Sequence, residues 1–269
     1  MRHTALATLC LAAAATIGLT GCQSGQDKAD SKPDKAGSSA TSSTSPSKSE
    51  SEAKEPFAGL TGAEIADKAV EATTGASSLR MKGDVPDEES GSTITIDMAL
   101  NKQGECAGTM SMGGQGKADL IKVGDTVYMK YDEKFLREQS KGEKKSDVDA
   151  AVALLAGKWT KMSAKGEDAK DIASFCDLDT VLGDADDAET DASRGKTTTV
   201  DGTPAIVLNE RDGKERYTLY VATEGKPYLL RVDSVSAKDP GTLTFSDYDK
   251  KVPAQKPSGE ILDLDALGG

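Results

Sequence analysis

The clearest alternation of apolar and polar positions lies in "STITIDMALNKQGECAGTMSM". There Ile94, Ile96, Met98 and Leu100 share one side of an extended chain and Thr93, Thr95 and Asp97 share the other. A period of two is the pattern of a half-buried strand. If Lys102, Gln103 and Gly104 form a three-residue loop with Gly104 left-handed, Leu100 comes opposite Cys106. Met98, Ile96 and Ile94 then face Gly108, Met110 and Met112. The apolar sides of both strands coincide in this register, whereas a slip of one residue would turn one of them to water. "ADLIKVGDTVYMKY" predicts a second hairpin about Gly124 and Asp125, whose glycine-first order suits a type II′ turn.

The period changes on either side of these hairpins. In "LTGAEIADKAVEATTGAS", Thr61 and Glu64 fit a capping box, and Ile65, Ala69 and Val70 follow one helical face until Gly75. "DEKFLREQ" and "SDVDAAVALLAGKW" also read as helical, with Val148, Val152 and Leu155 on one side. "KWTKM" is a short strand, and "DAKDIASFCDLDTVLGDADDAETDASR" returns to helix, with Ile172, Phe175, Asp179 and Leu182 at rough helical spacing and Cys176 near the apolar side. From Gly195 on, "KTTTVDGTPAIVLNE", "ERYTLYVAT", "KPYLLRVDSVS" and "GTLTFSDYD" are strands, with reversals expected at Asp201-Gly202, Asp212-Gly213 and Glu224-Gly225. Strands, a helical insertion and strands again predict an α+β domain with antiparallel strands.

The first 56 residues do not belong to this pattern. Arg2 and His3 precede an apolar run from Leu6 to Leu19, too short for a comfortable membrane span and laid out as a secretory signal over residues 1–21. The run ends in "LTGC", which resembles the bacterial lipobox, so Cys22 is the expected lipidation site. Two acyl chains, at roughly 0.8 kcal/mol per buried methylene, would hold the protein on the membrane. Residues 23–56 include 10 serines and no Leu, Ile, Val, Phe, Tyr or Trp, so they have nothing to bury and read as a disordered tether. A single domain is expected over residues 57–269.

Charge and residue usage narrow the function. Residues 57–269 carry 27 Lys plus Arg against 39 Asp plus Glu, a balance that argues against nucleic acid as partner and against docking on anionic lipid through charge. The only histidine is His3, inside the expected signal, so the mature chain has no Ser-His-Asp triad, Cys-His pair or His-ligated metal. No cofactor is called for. Cys10 falls in the signal and Cys22 takes the lipid, leaving Cys106 and Cys176 for one disulfide in an oxidising compartment. It would close a loop of about 70 residues, for which the chain-entropy model gives at most about 4 kcal/mol.

Three further features invite a functional reading. Gly116-Lys117 is not a phosphate loop, because Ser111 stands where the motif needs its first glycine and Ala118 where it needs Ser or Thr. The seven carboxylates from Asp177 to Asp191 fail the calcium-loop template at Glu189 and read as a solvated helix face. Met81, Met98, Met110, Met112, Met129 and Met162 lie in or near expected strands, either as core fillers or as an adaptable surface for apolar ligands.

The lipobox, the serine-rich tether, "GECAGTMSMGG", "IKVGDTVYMK", "GKWTKM", "DGTPAIVLNE" and "LTFSDYD" together resemble the LppX/LprG-type lipoproteins of actinobacteria, whose fold is similar to that of the LolA/LolB carriers. The resemblance implies a curved antiparallel β-sheet, a half-barrel, with helices covering its concave face. It also implies an apolar cavity between sheet and helices that takes a lipid or glycolipid. Alternation nominates Ile94, Ile96, Met98, Met110 and Met112 as its strand wall, with Val152 and Leu155 on the covering helix. The expected protein is a non-enzymatic lipoprotein on the outer face of the cell membrane, carrying lipid or, on the same scaffold without a cavity, acting as an interaction or sensor module.

Overall fold

The computed structural model describes residues 55–87, 92–182, 191–212, 215–235 and 240–266. The expected signal, Cys22 and all but the last two tether residues lie outside the described residues, as do Asp184 and Glu189 of the acidic run and Gly213 of an expected turn.

Twelve strands among the described residues form one sheet: β1 (Ser78–Asp87), β2 (Ser92–Asn101), β3 (Cys106–Met112), β4 (Gly116–Val123), β5 (Thr126–Tyr131), β6 (Trp159–Ser163), β7 (Ala192–Val200), β8 (Thr203–Asp212), β9 (Glu215–Ala222), β10 (Leu229–Ser234), β11 (Gly241–Ser246) and β12 (Ile261–Asp263). Their order is β12-β6-β5-β4-β3-β2-β1-β11-β10-β9-β8-β7, and the outermost strands do not pair, so the half-barrel is open. All pairs are antiparallel except β12 with β6. Five helices accompany them: α1 (Gly62–Thr74), α2 (Glu133–Gln139), α3 (Lys145–Leu155), α4 (Glu167–Phe175) and α5 (Leu178–Leu182).

Local chemistry explains the turns. Leu100 pairs with Cys106, Met98 with Gly108, Ile96 with Met110 and Ile94 with Met112, the register that alternation predicts. Gly104 takes φ +70 in the connecting loop. Gly124 takes φ +55 between Val123 and Thr126, while Asp125 keeps a negative φ, as a type II′ turn requires. Asp201 and Gly202 both have positive φ (47 and 84), the type I′ combination, and close β7 onto β8.

One face of the sheet is largely apolar, although Arg194 and Glu210 also stand on it. Its buried side chains form two clusters. One gathers Leu79, Met81, Ile96, Met98, Leu100, Leu120, Val127, Met129 and Phe245 with Cys176 and Leu178 from the helical insertion. The other gathers Ile206, Leu208, Leu219 and Val221 beneath Ile65, Ala66 and Ala69 of α1. The capping box at Thr61 and Glu64 is present, and the buried stripe of α1 runs Gly62, Ile65, Ala66, Ala69, Thr73, with Val70 at its margin. Gly62 lies against the Ala192 backbone, and Thr73 Oγ1 accepts a 3.1 Å hydrogen bond from the Leu229 N–H, so α1 runs diagonally across β7 to β10.

The structure revises several expected elements. Strand β1 was not anticipated, although Leu79, Met81 and Val85 alternate, because Gly83 interrupts the apolar side. Gly83 is required there: a Cβ would come 1.8 Å from the Thr242 carbonyl oxygen across the β1–β11 pair. The single helix expected around Cys176 is two, α4 and α5, broken at that cysteine. Strand β7 begins at Ala192, inside the segment expected to be helical. Strand β12 has three residues, too few to show alternation, and its position depends on the chain crossing from β11 to the far edge of the sheet.

The "SDYD" stretch at the end of β11 builds a corner. Asp249 accepts hydrogen bonds from Tyr228 Oη (2.6 Å), Ser77 N (2.8 Å), Ser77 Oγ (3.1 Å) and Lys226 Nζ (3.1 Å). These donors, the Tyr228 hydroxyl foremost, hold its carboxyl well below the usual carboxylate range. Tyr248 stacks on Tyr228 with ring centroids 3.9 Å apart and donates its hydroxyl to the Leu229 carbonyl. Burial pushes the Tyr248 hydroxyl far above its ordinary pKa.

Candidate ligand site on the apolar face

The two ends of the sheet are covered differently. At one end, which we call closed, Met98, Leu100 and Val127 are fully buried and Leu120 is 2% exposed. Cys106 is bonded to Cys176, with the two Cα atoms 5.1 Å apart, and this fixes the α4–α5 junction on β3. Asp177 bridges to Asn101, and Lys102 pairs with Asp179 at 2.8 Å. Lys122 is the charged residue on this face of β4, and its ammonium group reaches the Gly104 carbonyl at the margin. At this end the helices that pack on the strands are therefore α4 and α5, through Ala169, Ile172, Phe175, Leu178, Val181 and Leu182.

At the opposite, open end the same face is only half-covered. Val85 pairs with Ile94 and Ile94 with Met112, making one row across β1, β2 and β3. The next row runs Leu243, Gly83, Ile96, Met110, Ala118 and Tyr131 across β11 to β5. Val85, Ile94, Met110, Met112, Tyr131 and Leu243 are all half-buried, and no charged side chain interrupts these rows. Tyr131 stacks on Phe135 with centroids 5.3 Å apart and places its hydroxyl 3.1 Å from the Met129 sulfur; burial raises its pKa.

Helices α2 and α3 are inserted at this end, between β5 and β6. Asp132 caps α2: its Oδ1 accepts from Phe135 N at 2.7 Å and its Oδ2 from Lys117 N at 3.1 Å. Gly116 has φ +98, and a Cβ there would lie 2.3 Å from Phe135 N, so the start of β4 must be glycine for α2 to sit on it. The Gly116-Lys117 pair thus opens a strand at a helix contact.

The candidate residues separate into three groups. Ile94, Met110 and Met112 come together at the open end, while Ile96 and Met98 are buried under the sheet's own packing. Val152 and Leu155 are half-buried, outside both buried clusters: α3 contributes no buried residue and leans on α2 rather than on the strands. Their helical spacing is real, but the neighbour of α3 is α2. Val85, Leu243 and Tyr131 were not nominated. Alternation in their own strands was the available signal, and only the β1–β11 pairing brings Leu243 into line. Among the described residues no group of three His, Cys, Asp or Glu side chains could hold a metal ion, and no helix is long and apolar enough to cross a membrane.

No protein-family model matches the chain, and no curated protein matches it. Among solved structures, LprF from Mycobacterium bovis is similar with a TM-score of 0.51 at 14% identity, covering 74% of this chain and 97% of that one. The Mycobacterium tuberculosis lipoprotein LppX has a TM-score of 0.45 at 13% identity, over 71% of this chain and 97% of its own. The open, mainly antiparallel sheet with its helices thus has the fold of LprF, the fold that the resemblance to LppX/LprG-type lipoproteins implies.

Proposed function

We propose that this protein is exported, anchored through Cys22, and binds or carries a lipid or glycolipid on the apolar face of its sheet. The observation that carries this reading is the uncharged, half-buried pair of rows at the open end, from Val85, Ile94 and Met112 to Leu243, Met110 and Tyr131. Half-exposed apolar rows of this kind are where a hydrophobic ligand gains most. Each ligand methylene buried there contributes roughly 0.8 kcal/mol. The methionines adapt to chains of differing shape because the thioether arm is unbranched. The fold shared with LprF and the lipobox-like "LTGC" support the same reading. The serine-rich segment serves as the tether between anchor and domain.

A second reading is a binding or sensor module with a filled interior, favoured by the complete burial of Met98, Leu100 and Val127 at the closed end. Native mass spectrometry of protein extracted from its own membrane separates the two. A stoichiometric hydrophobic ligand, together with lipid transfer between vesicles, supports the carrier; recovery of empty protein with no transfer sinks it.

A further inference from the structure

The point where the tether enters the domain is built with care. Arg194 on β7 donates from Nη1 to the carbonyls of Phe57 (2.8 Å) and Leu60 (2.9 Å) and from Nη2 to that of Pro56 (2.9 Å). Phe57 has φ +57, a conformation that non-glycine residues keep only where their surroundings hold them. Phe57 and Leu60 also pack against the α1 cluster. The last residues before α1 are therefore clamped to one place on the sheet.

That place is the open end. Ala192, beside Arg194, pairs with Glu210, and Glu210 with Tyr217, the row at which β10 ends in Ser234. The two large hydrophobic residues exposed among the described residues lie at this end as well: Leu154, 46% exposed, near the end of α3, and Val235, 58% exposed, directly after β10. Leu154 is placed there because Gly157, just past α3, donates its N–H to the Tyr131 carbonyl at 2.8 Å. Tether junction, exposed apolar residues and the apolar rows thus share one end of the sheet, on different strands.

We propose that the open end is a membrane-docking face, which rests on the bilayer holding the protein's own anchor while Arg194 fixes the tether's exit so that the apolar rows open toward lipid. This rests on the anchored, lipid-binding reading above. A serine-rich segment of the length between Cys22 and Glu55 would reach roughly 30 Å if it is the coil its composition predicts, enough to keep the rim at the surface without orienting it. With 39 acidic against 27 basic residues in the domain, the contact is apolar rather than Coulombic and does not need anionic lipid. A mouth facing the membrane shortens the path by which an acyl chain leaves the bilayer, since it need not cross open water.

The test uses the full-length lipidated protein in phosphatidylcholine vesicles with brominated acyl chains, in a Trp159→Phe background. The Leu154→Trp variant should lose emission to bromolipid quenching, whereas Glu224→Trp, in the β9–β10 turn at the closed end, should not. Equal quenching of the two, quenching of Glu224→Trp alone, or quenching of neither overturns the proposal. Adding Arg194→Ala, with folding checked by circular dichroism, should erase the contrast between the two tryptophans; an unchanged contrast removes Arg194 from the argument. Native mass spectrometry of the same preparations reports cargo independently. An empty protein that keeps the quenching contrast would reject the carrier reading and leave the orientation standing.

Discussion

Gly108 stands opposite Met98 in the β2–β3 pair, and a Cβ at Gly108 would come 2.6 Å from the Met98 sulfur and 2.0 Å from the Asp97 carbonyl oxygen. The missing side chain is what lets a long, fully buried methionine lie across two strands. Gly108→Ala should cost roughly 1–3 kcal/mol as overpacking, measured as a lower urea midpoint at unchanged slope. A neutral outcome would mean that β3 shifts freely at this point.

The two ends of the apolar face should answer differently to mutation. Met98→Ala, at a fully buried site, is expected to cost about 2–5 kcal/mol. Met110→Asp, at the half-buried open end, should cost less stability and lower the amount of lipid recovered with the protein by native mass spectrometry. If Met98→Ala lowered loading at intact stability and Met110→Asp did not, the site would lie at the closed end instead.

Removing the disulfide with Cys106→Ser plus Cys176→Ser should lower stability by up to about 4 kcal/mol, the chain-entropy figure for a loop spanning 70 residues. Urea titrations with and without reductant should show the same loss in the wild-type chain and none in the double variant. Proteolysis of reduced protein should open first at α4 and α5, which the bond ties to β3.

The corner at Asp249 and Tyr248 contributes to the pH dependence of stability at both ends of the range. Asp249 has a folded pKa below its unfolded value, so its contribution is present above the ordinary carboxylate range and is lost as pH falls below it. Asp249→Asn should reduce the acid dependence of the urea midpoint, and its cost at neutral pH should be about 1 kcal/mol because the carboxylate is largely solvated. Tyr248 has the opposite sign: its folded pKa is raised, so its contribution is intact below about pH 10 and declines above it. Tyr248→Phe should flatten that alkaline limb.

Sequence pattern carried the parts of the fold that depend on neighbours in the chain. The Thr61–Glu64 cap, the Gly104 and Gly124 turns and the entire β2–β3 register are local decisions, made by residues a few positions apart. Partners distant in sequence were not legible. Nothing near Gly83 announces the Thr242 carbonyl that excludes its side chain, and nothing in α3 says that α4 and α5, and not α3, pack into the core cluster. For the same reason Ile94, Met110 and Met112 could be found by alternation while Leu243 could not, and the spacing of Val152 and Leu155 does not reveal that α3 lies against α2.

The strand order also bears on how the chain reaches this state. Strands β1 to β6 form one run of neighbours and β7 to β11 another, each pairing successive strands, and strands of the two runs pair only where β1 meets β11, with Arg80 opposite Ser246. Hairpins close quickly, whereas the β1–β11 seam must wait for nearly the whole chain and carries the largest loop-closure cost. The disulfide lies on the early side of that seam, linking β3 to the helices that follow β6. Closure of the amino-terminal run and its disulfide does not require the β1–β11 seam, so docking of β11 onto β1 is expected among the late steps of assembly.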